Sequence, residues 1–561
     1  MGYNDGDECG MESLLKLPII LNKGSLKPMK EFNTTAVCVP SENYMVDITD
    51  RVREIKKLVD SGKYFTINCA RQYGKTTTLD ALCASLTEEY IVISLDFQDI
   101  GEAVFRSEGA FSQGMARIIC DTADFMEASI PEKYYDEFDS LNKKEEDCVK
   151  LDELFRIFMK WFREAEKPII LLIDEVDSAA NNQVFLDFLS GLRSLYLKRK
   201  RNRKVKTFQS VILAGVTDIK YLKAKITGEA EAKENSPWNI AADFNIDMSL
   251  SEIGIKGMLD EYESDHQTGM DTAAIAKQIR NYTNGYPFLV SRICQIIDQG
   301  MLSLDSFPDL TQAWTEYGVD EAVRLMLSED NTLFASLMGK LHNIPTLRLQ
   351  LRKILMTGET VSWQTYDREQ ELLRMYGFIR NDHNTVAVAN RIFEMLLYNH
   401  FIGENHENDD LRRLASANRS IFITEDGSLD IPKIMEHFIE EHNRIHKGHS
   451  EKFLEEEGRE RFLTYVSPII NGTGTYSVEE QLRDYRRMDV VIHYLGRRYV
   501  IELKIWHGDR YNAKGEKQIL DYLDYWNLDT GYLLSFNFNK TKKTGVEEVH
   551  IGGKTVYEGI V

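Results

Sequence analysis

The chain has 561 residues, 43% hydrophobic and 28% charged, which excludes a disordered protein and is too long for a single core. Its formal charge of −21 excludes a broad electrostatic attraction to nucleic acid, since phosphate contacts demand a basic footprint. No apolar run approaches the roughly 20 residues that span a bilayer, so no membrane partner is expected.

Met1 to Pro18 carries Asp5, Asp7, Glu8 and Glu12 and is not expected to act as a secretory signal. Seven cysteines form no Cys-x-x-Cys pair and none follows Cys294. That scatter points to reduced thiols in the cytoplasm rather than to disulfides or structural zinc.

Residues 1–30 read as a tail. From Tyr64 strand and helix alternate: a strand at Tyr64–Asn68, a helix from about Lys75 to Glu89, and a second strand from Ile91 to Phe97. Further on come an amphipathic stretch from Leu151 to Phe162 and buried strands at Ile169–Ile173 and Val211–Gly215. Near-continuous apolar runs between helices predict a parallel sheet covered on both faces, within a multidomain α/β chain. The expected core is 31–250. A helical lid follows at 251–340, then two helices and a small hairpin at 341–403 in the order of a winged helix. An acidic linker at 404–410 leads to a last α/β domain at 411–561.

Between the first strand and its helix lies Cys69-Ala70-Arg71-Gln72-Tyr73-Gly74-Lys75-Thr76-Thr77. A phosphate-binding loop needs inward N–H groups at a helix N-terminus, a lysine for the β- and γ-phosphates and a hydroxyl for Mg²⁺. Gly74, Lys75 and Thr76 supply these, with Arg71, Gln72, Tyr73 and Thr77 around them, although Cys69 stands where a glycine is usual. The strand Ile169–Ile173 ends in Asp174-Glu175, where parallel α/β sheets bind ligands. Asp174 is expected to hold Mg²⁺ with Thr76, and Glu175 to orient or deprotonate the attacking water. Thr217 is placed as a γ-phosphate sensor, with turn chemistry as the alternative. The run Lys198-Arg-Lys-Arg-Asn-Arg-Lys-Val-Lys206 is the best local nucleic-acid contact, against a solvated loop.

Phe32-Asn-Thr-Thr35, Tyr44-Met-Val-Asp47, Ala70 to Thr77 and Asn284-Gly-Tyr-Pro-Phe-Leu289 together resemble the AAA-like, signal-transduction ATPases of the P-loop class, over about residues 30–400. That resemblance implies ATP as cofactor and tolerates the degenerate first loop position. It also implies that Gly285-Tyr286-Pro287 brings Pro287 towards the adenine. Read alone, Gly-Tyr-Pro is a helix-ending turn.

In the last domain, two β-rich runs flank Leu495-Gly496, which predicts a hairpin with Tyr494 facing Arg497. Counting outward sets Asp489 opposite Glu502, and period-two alternation puts Lys504 on the face of Glu502. Opposed carboxylates repel unless something positive lies between them. Mg²⁺ or Mn²⁺ would resolve the conflict, with Lys504 polarising a phosphate or water. Two exposed acids screened by water and arginines are the alternative.

The arrangement resembles the PD-(D/E)xK nuclease superfamily over about residues 450–540, with Asp489, Glu502 and Lys504 as its triad and Met488 in place of the motif's proline. The resemblance implies a glutamate on the preceding helix, assigned to Glu460 over Glu457, and a Gln-x-x-x-Tyr pair, Gln518 and Tyr522, on one helical face. The expected function is an ATP-binding and ATP-hydrolysing protein that regulates a Mg²⁺-dependent nuclease, with DNA ahead of RNA as partner, in microbial defence. The alternative is a switch whose last domain binds nucleic acid or protein without cutting. A homo-oligomer is compatible with either.

Overall fold

The structure, a computed structural model, describes residues 29–126, 130–179, 182–216, 238–304, 306–356, 360–404, 409–445, 455–481, 487–506, 509–539 and 542–561. Most of the expected 1–30 tail, and Thr217, lie outside them.

Four parallel strands, β1 (Tyr64–Asn68), β2 (Ile91–Asp96), β3 (Ile169–Asp174) and β4 (Ser210–Gly215), form a sheet in the order β1-β4-β3-β2. Every residue of β3 and β4 is buried, as expected of strands with helices on both faces. Alternation sorts them. Ile169, Leu171, Ile173, Val211 and Leu213 pack with Phe158, Trp161 and Phe188 of the helices Leu151–Glu164 and Gln183–Arg201. Ile170, Leu172, Ile212 and Ala214 pack on the other side with Ile55, Leu79 and Leu82 of the helices Thr49–Asp60 and Lys75–Leu86. The free edge of β1 is covered by Ala242, which bridges Phe65 in parallel and donates its N–H to the Tyr64 carbonyl at 2.7 Å.

Helices Glu252–His266, Thr272–Thr283, Pro287–Gln295 and Glu316–Ser328 fill the span expected as a lid. Three more follow, Thr332–Asn343, Pro345–Met356 and Arg368–Met375. After them come an antiparallel hairpin, β5 (Ile379–Asp382) with β6 (Thr385–Val388), and the helix Arg391–Glu404. The expected division at 340/341 thus falls inside one helix. Of the expected 404–410 linker, Glu404 ends a helix and is ion-paired with Arg348, while Asp409 opens the helix Asp409–Ala417.

The last sheet is mixed, in the order β11-β12-β10-β9-β8-β7: β7 (Gly474–Gln481), β8 (Arg487–Tyr494), β9 (Arg497–Ile505), β10 (Thr530–Phe536), β11 (Gly545–Ile551) and β12 (Lys554–Ile560). β7, β8 and β9 run antiparallel, and β9 reaches its parallel neighbour β10 through the crossover helix Asp509–Trp526. One hydrophobic cluster runs from Leu289 and Val323 in the lid through Phe393 and Phe401 to Phe438, Phe462 and Leu503 below this sheet. The helices that follow the parallel sheet and the C-terminal mixed sheet therefore share a continuous apolar junction, while the parallel strands pack in two separate clusters. No helix among the described residues is long and apolar enough to cross a membrane, and all six described cysteines are free thiols.

Candidate nucleotide and metal sites

Gly74, in the left-handed region at φ 75°, precedes the helix Lys75–Leu86, whose first N–H groups receive no side-chain cap. These N–H groups and the positive end of the helix dipole face the loop, which is the arrangement that holds an anion. Lys75 is buried, and its Nζ donates to the carbonyls of Cys69 at 3.1 Å and Ala70 at 3.2 Å. Thr76 Oγ1 donates to Asp174 Oδ2 at 3.1 Å, which joins the P-loop hydroxyl to the end of β3. Asp174 Oδ1 accepts the N–H of Glu175 at 2.8 Å, and Glu175 adopts φ 52°, which turns it off the line of the strand. Burial raises both carboxyls above their usual range, and the Lys75 charge works against the rise. Cys69, pushed up to about 11 by burial, is an inert thiol in the glycine position.

The lid reaches the loop directly. A side chain added at Gly74 would touch Pro287 Cγ at 3.8 Å, and the Tyr286 ring meets Tyr73 edge-on with centroids 4.6 Å apart. The Tyr286 hydroxyl donates to the Arg71 carbonyl. Gln72 Nε2 donates to Thr332 Oγ1 at 3.3 Å, and Thr77 Oγ1 accepts from Cys38 N at 3.3 Å. Arg71, Gln72, Tyr73, Gly74, Lys75, Thr76, Thr77, Asp174, Glu175 and Pro287 thus gather around one loop.

The second site sits on the β8–β9 hairpin. Leu495 and Gly496 form its turn at φ 47° and 73°, and the register runs from Tyr494–Arg497 to Val490–Ile501. The paired register ends there, and Asp489 and Glu502 are the next residues of the two strands. Lys504 Nζ lies 2.9 Å from Glu502 Oε1, 3.9 Å from Asp489 Oδ2 and 3.7 Å from Glu455 Oε1. Glu502 is wholly buried; its Oε1 is ion-paired with the Lys504 ammonium, and its Oε2 accepts no hydrogen bond. Asp489 Oδ2 accepts the N–H of Leu503 at 2.8 Å. Burial, then the negative charge of Asp489, raises the Glu502 carboxyl. Burial works against the Lys504 ammonium, but Asp489, Glu502 and Glu455 outweigh it and keep it charged. Gln518 Nε2 donates to the buried Tyr522 hydroxyl at 3.0 Å, on the face turned to the acids.

On the preceding helix, the glutamate that approaches Lys504 is Glu455. Glu460, the expected one, is directed to Arg352 at 3.7 Å, and Glu457 is exposed. Five residues along a helix turn a side chain by about 140°, so Glu455 and Glu460 cannot share a face. The sequence held no sign of where that helix, Glu455–Ile470, begins.

The residues fit a hard cation that keeps most of its waters. Mg²⁺ needs only one or two carboxylates, and Glu502, with its Oε2 free of hydrogen bonds, beside Asp489 would supply them. Among the described residues no group of three or more His, Cys, Asp or Glu stands in metal-holding geometry.

The basic run is partly tied down at the opposite end of the parallel sheet. Arg199 donates to the carbonyls of Gly62, Phe208 and Gln209, beside the starts of β1 and β4, and Lys206 to those of Arg163 and Ala165. Lys198, Arg201, Arg203 and Lys204 are exposed.

Residues 32–401, more than half of the chain, match the model of the AAA-like domain family, and the chain belongs to that family. Residues 471–549 match the PD-(D/E)XK nuclease superfamily, so the mixed sheet is a domain of that kind. Among solved structures, the Walker-type ATPase of Pyrococcus abyssi is 14% identical, with 65% of this chain and 99% of that chain covered and a TM-score of 0.43. The RuvB Holliday junction branch migration motor of Thermotoga maritima is 12% identical, covering 61% of this chain and 92% of its own, at a TM-score of 0.30. The Aeropyrum pernix ORC1 protein, solved in complex with DNA, is 10% identical, covering 63% and 92%, at 0.29. At such identities the likeness concerns the fold alone. No curated protein sequence matches the chain.

Proposed function

We propose that the chain is an ATP-hydrolysing switch that controls a Mg²⁺-dependent phosphodiesterase in its C-terminal domain, with DNA ahead of RNA as the substrate. The observation that carries this reading is Glu502: a wholly buried carboxylate beside Asp489, with the Lys504 ammonium on one oxygen and no hydrogen bond to the other. A core selected for stability alone rarely leaves such a group unsatisfied.

At the ATP site Lys75 and the loop N–H groups hold the phosphates, Thr76 and Asp174 hold Mg²⁺, and Glu175 takes the proton of the attacking water. At the nuclease site a divalent ion, Mg²⁺ or Mn²⁺, would be held by Asp489 and Glu502 and supply Lewis acidity and an activated water. Lys504 places its charge against the scissile phosphate. Glu455 holds that ammonium from the far side, and Gln518 with Tyr522 orients the phosphate. The segment 332–388, helices and then a hairpin, has the winged-helix order and, with the exposed residues of 198–206, is a candidate nucleic-acid contact. A nuclease joined to a nucleotide switch suits microbial defence in the cytoplasm, where cutting must be restrained.

The charge of −21 favours a second reading, an assembly or partner-binding switch that does not cut. Incubation of the full chain with supercoiled plasmid, single-stranded DNA and RNA, with Mg²⁺ or Mn²⁺ and with or without ATP, separates the two. Metal-dependent cleavage lost in Lys504→Ala, with ATP hydrolysis retained, supports the nuclease. Intact nucleic acid under every condition supports the second reading.

A further inference from the structure

The helix Thr332–Asn343, which begins where the lid ends, stands over the P-loop rather than beside it. Gln72 Nε2 reaches Thr332, and the turn after the helix Arg368–Met375 brings Gly377 so close to Ala70 that an added Cβ would lie 2.7 Å from the Ala70 methyl. Between this helix and the end of β3 lies a cavity of about 510 Å³. Its polar lining includes Arg71, Glu175, Asp177, Ser336 and Lys340, with Tyr376 as a wall.

Two features of that cavity ask for an anion. Its cations are unspent: among the described residues no carboxylate pairs with the side chain of Arg71 or of Lys340. The Lys340 ammonium rests instead 4.9 Å from the centroid of the Tyr376 ring, a weak contact for a half-buried charge. The cavity also opens onto Glu175, the group assigned to the attacking water, whose neighbour Asp174 is bound to Thr76. Leu333 and Leu337 complete its wall and lower the local dielectric, which strengthens any charge interaction inside it.

We propose that Lys340, supplied in cis by the segment that follows the lid, is a catalytic residue of ATP hydrolysis that contacts the γ-phosphate, with Arg71 beside it. This rests on the nucleotide reading of the P-loop. Water adds to the γ-phosphorus as its bond to the β–γ bridging oxygen breaks, the water's proton passes to Glu175, and ADP and inorganic phosphate leave. Lys340 makes and breaks no bond. Its charge offsets the negative charge on the transferred group, the part an arginine finger plays when a second subunit lends it. Because the ammonium is on the same chain, the site is complete in one protomer. The γ-phosphate also becomes a tie between the ATPase core and the segment that leads to the nuclease.

The test uses the full chain with Lys340→Ala and Lys340→Arg, measuring kcat, KM, and affinity for ATP and ADP. Lys340→Ala is expected to lower kcat about a hundredfold and to weaken ATP relative to ADP, and Lys340→Arg to restore most of both. The rate per protomer stays constant on dilution. Unchanged kcat and ATP-to-ADP preference in Lys340→Ala overturn the proposal. So does an equal loss of ATP and ADP affinity that arginine fails to rescue, which marks a structural role, and so does a rate per protomer that climbs with protein concentration. A wild-type chain that binds neither nucleotide removes the P-loop reading itself, and with it this one.

Discussion

Lys75 is held by two carbonyls, not by a carboxylate ion pair, so a phosphate can take its hydrogen bonds without breaking a salt bridge. Lys75→Ala should abolish nucleotide binding, measured by titration with a fluorescent ATP analogue. Glu175→Gln keeps Asp174 and Thr76 together and should still bind ATP, but release phosphate about a hundredfold more slowly. Equal phosphate release by the two proteins would remove Glu175 from its role. At the second site, Asp489 and Glu502 repel across the hairpin, and Asn at 489 can still accept from the Leu503 N–H. Asp489→Asn should therefore stabilise the metal-free chain by up to about 1 kcal/mol. Mg²⁺ or Mn²⁺ should raise the melting temperature of the wild type only. A metal-free melting temperature that falls in the variant contradicts the pairing.

At the scale of elements, the loop is shaped from above as much as from its own sheet. Gly377 sits at φ 83° with Ala70 pressed against it, so a side chain there meets both backbone strain and a collision. Gly377→Ala should cost about 1–3 kcal/mol and lower ATP affinity with it, read from chemical denaturation and nucleotide titration. An unchanged affinity in the destabilised variant would show that the turn does not shape the P-loop. The β8–β9 hairpin is legible in the sequence, because period two and the Leu495-Gly496 turn fix which side chains share a face. The P-loop and β3 are legible for a similar reason: each motif lies at a strand end whose apolar run announces it. What stays hidden depends on distance in sequence. Nothing in Lys340 or Glu455 marks them, since only packing sets one helix over Glu175 and the start of another beside Lys504. The basic run likewise does not disclose that Arg199 is spent on the carbonyls of Gly62 and Gln209.

Across the whole molecule, one buried carboxylate touches elements that carry both candidate sites. Asp320 of the lid helix Glu316–Ser328 has a side chain only 12% exposed. It accepts from Gln278 Nε2 at 2.5 Å and from the Tyr282 hydroxyl at 2.9 Å, both on the helix that leads into Gly285-Tyr286-Pro287. Its other oxygen lies 3.4 Å from His493 Nδ1 and 3.3 Å from Arg498 on the β8–β9 hairpin that carries Asp489, Glu502 and Lys504. Arg498 in turn stacks 4.2 Å over Trp526, on the helix of Gln518 and Tyr522. Burial opposes the Asp320 charge, but His493 and Arg498 outweigh it and hold its carboxyl below the usual range. A depressed carboxyl contributes stability above the ordinary carboxylate pKa and loses it as pH falls through the folded value. Asp320→Asn should thus destabilise the full chain by about 3 kcal/mol at pH 7, and the gap from wild type should close below about pH 4. Asp320 touches neither the P-loop nor the nuclease triad, so the variant should still hydrolyse ATP and keep its metal-dependent step. What it should lose is the link: hydrogen exchange across residues 487–505 that changes on adding ATP to the wild type should no longer respond. If the hairpin of Asp320→Asn still answers to ATP as the wild type does, the coupling runs through the shared apolar junction and not through this buried charge.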